Sequence, residues 1–197
     1  MNISEIKKRA RLVVVSKGRS IEEIQRLYDA GERDFGENRL PEAFEKMEAL
    51  PKDIRWHFIG KIQSKKVSRV VGRFYLIHSV DTPDLVEKIA AKGQNDAILL
   101  QVNASGEGSK SGLSPSQWEE HLERLLALSG VELKGLMTMA PFTEDEECIR
   151  SCFASVHALA QKWKLPELSM GMSNDYEIAL EEGATIVRIG TKLFEDK

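Results

Sequence analysis

A (β/α)₈ barrel is the architecture this sequence predicts, on three observations. Eight short runs are apolar and rich in β-branched residues with little polar alternation, which suits strands buried on both faces of a parallel sheet. Between them lie segments with helical spacing of apolar residues, six capped or clearly periodic and a seventh less regular. The 197 residues suffice for one such unit, spanning 1–197, and show no linker, low-complexity stretch or internal repeat that would divide it. An open doubly wound sheet is the alternative arrangement of the same elements.

Leu12 to Lys17 is the first strand, an unalternating apolar run that ends in a lysine. Ser20 and Glu23 then form a capping box for a helix carrying Ile24, Leu27 and Tyr28, with Gly31 as its stop. Asp34 to Asn38 is a second extended segment, and Ala43, Phe44, Met47 and Leu50 make a helical face before Pro51. Trp56 to Gly60 and Tyr75 to Asp81 are strands three and four, separated by a basic segment with Val67, Val70 and Val71 on one face. Pro83 opens the next helix, where the N–H it lacks would have had no partner, and Gly93 closes it. Ala97 to Val102 is strand five. The glycine- and serine-rich stretch Asn103 to Gly112 leads to a helix capped by Ser114. Val131 to Ala140, a helix from Thr143 to Trp163, Leu168 to Met172, a short helix from Asp175 to Glu182, and Thr185 to Gly190 complete the series.

Twenty-eight lysines and arginines against 31 aspartates and glutamates leave a net charge of −3, so no global positive field recruits nucleic acid or an acidic membrane. No apolar run approaches the length of a membrane span, and the charged start is unlike a secretion signal, which predicts a cytoplasmic protein. Cys148 and Cys152 read as a pair on the buried face of a helix. No clustered histidines or further cysteines complete a metal or disulfide site around them.

In a barrel the C-terminal strand ends face the active site. Lys17, Asn38, Gly60, Ser79, Asn103, Met139, Ser173 and Arg188 should therefore gather at one mouth. Gly171 to Asp175 and Arg188 to Thr191, at the ends of the last two strands, have the makings of a phosphate site: free backbone N–H groups, a hydroxyl at Ser173, and Gly190 allowing close approach. A helix cap and a turn explain each piece separately. Lys17 could attack a carbonyl only as the free amine, which at an unperturbed pKa is about one molecule in 2,500 at pH 7. Partial burial and a guanidinium such as Arg188 would increase that fraction. A phosphorylated aldehyde suits both halves of the mouth, while a lysine that merely solvates a strand end accounts for Lys17 alone.

These residues also carry a family resemblance. Val14-Val15-Ser16-Lys17, Phe35-Gly36-Glu37-Asn38, Trp56-His57-Phe58-Ile59-Gly60 with Gln63, and His78-Ser79-Val80-Asp81 carry its first half. Gly135 to Met139, Leu168 to Ser173 with Asp175, and Val187-Arg188-Ile189-Gly190 carry the second. Over nearly its whole length the chain resembles the pyridoxal phosphate homeostasis proteins, TIM barrels similar to the N-terminal domain of alanine racemases. The resemblance implies that Lys17 holds pyridoxal 5′-phosphate as a Schiff base. Ser173, Gly190 and Thr191 would lie near its phosphate, Arg188 near the pyridine nitrogen, and Asn38 and Ser79 along the pocket.

It further implies a carrier or buffer of the cofactor in vitamin B6 and amino-acid homeostasis, with no catalytic residue; a monomer with transient acceptor enzymes as partners is the accompanying expectation. A pyridoxal-phosphate-dependent amino-acid racemase is the main alternative, and a phosphosugar aldolase using the same lysine a third. Alanine racemases take a catalytic tyrosine from an added β-domain, and Tyr28, Tyr75 and Tyr176 are not well placed to substitute for it. Pro41, Lys61, Lys65 and the Phe194-Glu195-Asp196 ending depart from the family pattern, at the rim and the termini. Lys61, Lys65, Lys66 and Arg69 read as a solvated face rather than a partner site. Lys110 matches a family lysine and is either a second aldehyde contact or a loop lysine without a role.

Overall fold

The computed structural model describes residues 3–107 and 111–194. Its strands are β1 (Arg11–Val15), β2 (Asp34–Glu37), β3 (Arg55–Phe58), β4 (Leu76–Val80), β5 (Asp96–Val102), β6 (Val131–Thr138), β7 (Glu167–Ser169) and β8 (Ile186–Ile189). They close into one parallel barrel in sequence order, with β8 pairing back onto β1 in the register Val13 to Arg188. The predicted (β/α)₈ barrel is therefore the observed one, and the open sheet is not.

The helices are α1 (Ile3–Arg9), α2 (Ile21–Asp29), α3 (Leu40–Ala49), α4 (Pro83–Ala90), α5 (Pro115–Leu126), α6 (Glu146–Trp163), α7 (Tyr176–Glu181) and α8 (Thr191–Phe194). Both capping boxes form, Ser20 with Glu23 and Ser114 with Gln117. Helix α6 begins three residues later than its periodicity suggests, because Asp145 accepts from the N–H groups of Glu147 and Cys148 and so fixes the first turn. The basic segment between β3 and β4 is a 3₁₀ turn, Ser64–Arg69, whose lysines face solvent while Val67 is buried. Cys152 is buried but Cys148, in the first turn of α6, is exposed, so the expected buried pair is not formed.

Side-chain alternation builds two cores. Val13, Leu76, Leu99, Met137 and Ile186 meet inside the barrel, while Leu12, Val14, Val187 and Ile189 face outward beneath the helices. The outer layer is the larger. In it Trp118 of α5 is fully buried, and its indole N–H donates to the Gln101 carbonyl at 2.9 Å. The strands end one to three residues before the apolar runs do everywhere but at β5, because the last residues of each run leave the ladder to line the mouth.

Candidate functional site

Inward positions on β1 are Val13, Val15 and then Lys17, which follows the strand and stands exposed at the mouth. The expected partial burial of Lys17 is therefore not met. Arg188 lies beside Val13 on the neighbouring strand, two inward positions below Lys17. The two residues thus share one wedge of the barrel, the lysine at the rim and the guanidinium beneath it.

Arg188 is buried and rigidly held. Its Nη1 donates to the Ser169 carbonyl at 2.7 Å and to Ser169 Oγ at 2.6 Å, and its Nη2 donates to the Thr138 carbonyl at 2.9 Å. A guanidinium has five N–H donors, so two remain without a partner among the described residues. Burial pulls its pKa down to about 10, opposed by the charge of Asp175, and the group remains a cation at neutral pH.

The two anion-binding candidates face each other across β7 and β8. The backbone N–H groups of Ser173, Asn174, Gly190 and Thr191 donate to no acceptor among the described residues. Lys192 ties the loops together by donating from Nζ to the Ser173 carbonyl at 2.7 Å. The first loop is shaped by Gly171, whose φ of +92° is strained for any residue with a side chain, and by Asp175, whose Oδ1 accepts from the Met172 N–H at 2.6 Å. Four open donors on paired loops fit a phosphate, and two spare donors on a buried guanidinium fit the acceptor nitrogen of a pyridine ring.

The other expected residues fall less uniformly. Asn38 is half-buried at the mouth, its backbone pressed against Gly60, where a Cβ would collide with the Asn38 carbonyl oxygen. Ser79 is buried and its hydroxyl donates to the Gly60 carbonyl, so it shapes this wall rather than offering a free proton. Met139 is exposed and Asn103 half-buried at the ends of their strands. Lys110 lies outside the described residues.

Sequence reasoning missed what holds Lys17 in place. Ser16 points outward, its Oγ donating to Glu37 Oε1 at 2.7 Å, while Lys46 Nζ donates to the Ser16 carbonyl at 2.8 Å. Lys46 also donates to Glu37 Oε1 at 2.7 Å and to Glu42 Oε1 at 2.6 Å, and Glu42 in turn accepts from the Gly18 N–H at 2.5 Å. The residues on either side of Lys17 are thereby anchored to one ionic cluster. Burial pushes Glu37 above its ordinary pKa, against the pull of Lys46 and Ser16. Lys46 follows Ala43 by three residues and so borders the buried face of α3, but its charge made it read as a solvated lysine.

The model of the alanine racemase N-terminal domain matches residues 1–197. A pyridoxal phosphate homeostasis protein of Aquifex aeolicus is 41% identical over 199 residues, covering 95% of this chain and 87% of that protein. One from Deinococcus radiodurans is 41% identical over 189 residues, covering 93% and 88%. The structure of PipY from Synechococcus elongatus without PLP superposes with a TM-score of 0.91 at 35% identity, covering 98% of this chain and 97% of that one. The same protein with PLP bound gives 0.88 at 34% identity, covering the same shares. An alanine racemase from Corynebacterium glutamicum, at 19% identity and TM-score 0.75, covers 96% of this chain and 56% of its own and shares the barrel fold. The chain belongs to the alanine racemase N-terminal domain family, within the group of relatives named pyridoxal phosphate homeostasis proteins.

Proposed function

We propose that this chain binds pyridoxal 5′-phosphate at the barrel mouth, holds it covalently through Lys17, and stores or delivers it rather than using it in catalysis. The observation that carries this reading is the buried Arg188, with two unpaired donors set beneath an exposed lysine on the adjoining strand. When bound, the cofactor supplies an aldehyde that condenses reversibly with amines and a conjugated ring that can accept electrons. The N–H groups of Ser173, Asn174, Gly190 and Thr191 would receive the phosphate, with Asn38 and Ser79 shaping the opposite wall.

Arg188 argues against turnover. A guanidinium that keeps its proton at neutral pH donates a hydrogen bond to a ring nitrogen without protonating it, and an unprotonated ring is a weak electron sink. Racemisation would also need a second acid/base, and the tyrosines do not offer one. Tyr28 donates to Asp53 at 2.7 Å on the outer face, Tyr75 precedes β4 at the opposite end of the barrel, and Tyr176 donates to Glu177 beside a groove lined by α1.

No helix among the described residues is long and apolar enough to cross a membrane. The reading places the chain in the cytoplasm, as a single-domain monomer that passes cofactor to transient acceptor enzymes. Cys148 and Cys152 form no disulfide among the described residues, which suits a reducing compartment.

Absorbance of the purified protein tests the reading. A visible band that survives sodium phosphate washing and vanishes in Lys17→Ala is expected, and a band retained in that variant would remove Lys17 from the site. Incubation of the loaded protein with single amino-acid enantiomers, followed by chiral chromatography, tests the carrier role. Turnover well above that of free cofactor would establish an enzyme instead.

A further inference from the structure

Beneath the mouth, a string of buried polar side chains runs along the barrel interior from Arg188 to the opposite end. Ser169 Oγ accepts from Arg188 at 2.6 Å and lies 2.8 Å from His78 Nδ1. His78 Nε2 lies 2.9 Å from His57 Nδ1, and His57 Nε2 lies 2.9 Å from Asp34 Oδ1. The other oxygen of Asp34 accepts from Arg55 at 2.5 Å, close to solvent at the N-terminal end of the strands. Both histidines and Ser169 are inaccessible to water. Five strands contribute, and nothing in the binding reading above uses His78, His57, Asp34 or Arg55.

The proton positions follow from the carboxylate. Burial pushes Asp34 up, but hydrogen bonds from His57 and Arg55 outweigh it and hold Asp34 below its ordinary pKa, so it is an acceptor. Burial also favours neutral imidazoles at His57 and His78. His57 must then donate from Nε2 to Asp34, which leaves its Nδ1 as an acceptor. His78 accordingly donates from Nε2, its own Nδ1 accepts, and only the Ser169 hydroxyl can supply that proton. The Ser169 oxygen in turn receives the Arg188 N–H. Every donor points the same way, from guanidinium to carboxylate, and any reversed ring would set two lone pairs or two N–H groups against each other.

We propose that Asp34, His57, His78 and Ser169 form a positioning relay for Arg188. Its one-way hydrogen bonds fix the guanidinium plane and orient the spare donors toward the ring nitrogen of the cofactor. The last step rests on the cofactor reading; the proton order does not. Its consequence is that Asp34, at the far end of the barrel and out of reach of any ligand at the mouth, influences how the cofactor is held.

Nitrogen–proton correlation spectra of the full chain freed of cofactor test the order directly. Both His57 and His78 are expected to carry their proton on Nε2 at neutral pH, and Asp34→Asn is expected to move the ring-nitrogen shifts of His78 as well as those of His57. Should Asp34→Asn not fold, Ser169→Ala serves from the other end, and is expected to move the His57 shifts along with those of His78. In the cofactor-loaded protein, either variant should shift the visible maximum and weaken affinity about fivefold, the net worth of one hydrogen bond. A proton on Nδ1 of either ring overturns the relay, as does a visible band and affinity that the variants leave unchanged. A wild-type protein with no visible band would reject the cofactor reading, while the nitrogen spectra would still decide the proton order.

Discussion

Lys46 Nζ sits 2.7 Å from Glu37 Oε1, and this buried ion pair grips the Ser16 peptide immediately before Lys17. Both side chains are almost wholly removed from water, so each charge depends on the other. Lys46→Met should leave Glu37 without its counter-charge and cost about 3–5 kcal/mol of stability, measured by chemical denaturation. Adding Glu37→Gln should recover part of that loss. A single variant as stable as the parent would show that the pair does not anchor the lysine turn.

Acid should destabilise the protein earlier than its carboxylates alone would cause. Burial lowers the pKa of His57 and of His78, most strongly at His78, where the neighbouring His57 and Arg188 add to it. The unfolded chain therefore binds protons at these sites before the folded one does. Their contribution is complete above the ordinary histidine value and is lost as pH falls from there toward the folded values. Below about pH 6 the slope of unfolding free energy with pH should rise toward a ceiling of about 2.7 kcal/mol per unit, reached only if both groups stay neutral in the folded chain. A urea titration series reads it, and His78→Gln should roughly halve the slope. A flat profile between pH 6.5 and 5, on the scale of unperturbed imidazoles, would contradict the buried neutral pair.

Gly171→Ala should disturb the phosphate loop. Besides its positive φ, a Cβ at this position would lie 2.5 Å from Ala179 Cβ and 3.0 Å from Tyr176 Cα, so the loop or α7 must shift. A loss of about 1–3 kcal/mol in stability is expected, with affinity for pyridoxal 5′-phosphate falling more than affinity for unphosphorylated pyridoxal. Equal losses for both ligands would place the phosphate elsewhere.

Lys192 is exposed, and its tie to Ser173 should matter for binding more than for folding. Lys192→Met is expected to change stability by no more than about 0.5 kcal/mol, as most surface substitutions do. Its affinity for pyridoxal 5′-phosphate, followed by absorbance titration, should nonetheless drop. An unchanged affinity would mean the two loops hold their spacing without it.

The sequence announces the barrel because each strand and cap is a local signal. The run from Leu12 to Lys17 declares its burial through apolar continuity, and Ser20 with Glu23 declares the helix that follows. Lys17 and the last two strand ends were readable for the same reason, since barrel geometry assigns every strand end to one face. The ionic cluster was not readable, because Lys46 becomes buried only when α3 closes over Glu37 and Ser16. The relay was hidden for a related reason. His57, His78 and Ser169 each look like one polar residue in a buried strand, and their order depends on the register of strands far apart in sequence. The mouth residues also leave the ladder sooner than apolar runs suggest: Gly60, past the end of β3, accepts instead from the Ser79 hydroxyl.

The pairing of Val13 with Arg188 joins the first strand to the last. A growing chain consequently has no place for the ligand until its final strand has been made and docked, and this closure is the longest loop the backbone must form. Contacts so distant in sequence are slow to assemble. A ligand that bridges the rim of β1 and the loops after β7 and β8 would bind only the closed form and would act as a latch on the seam, slowing its opening in proportion to occupancy.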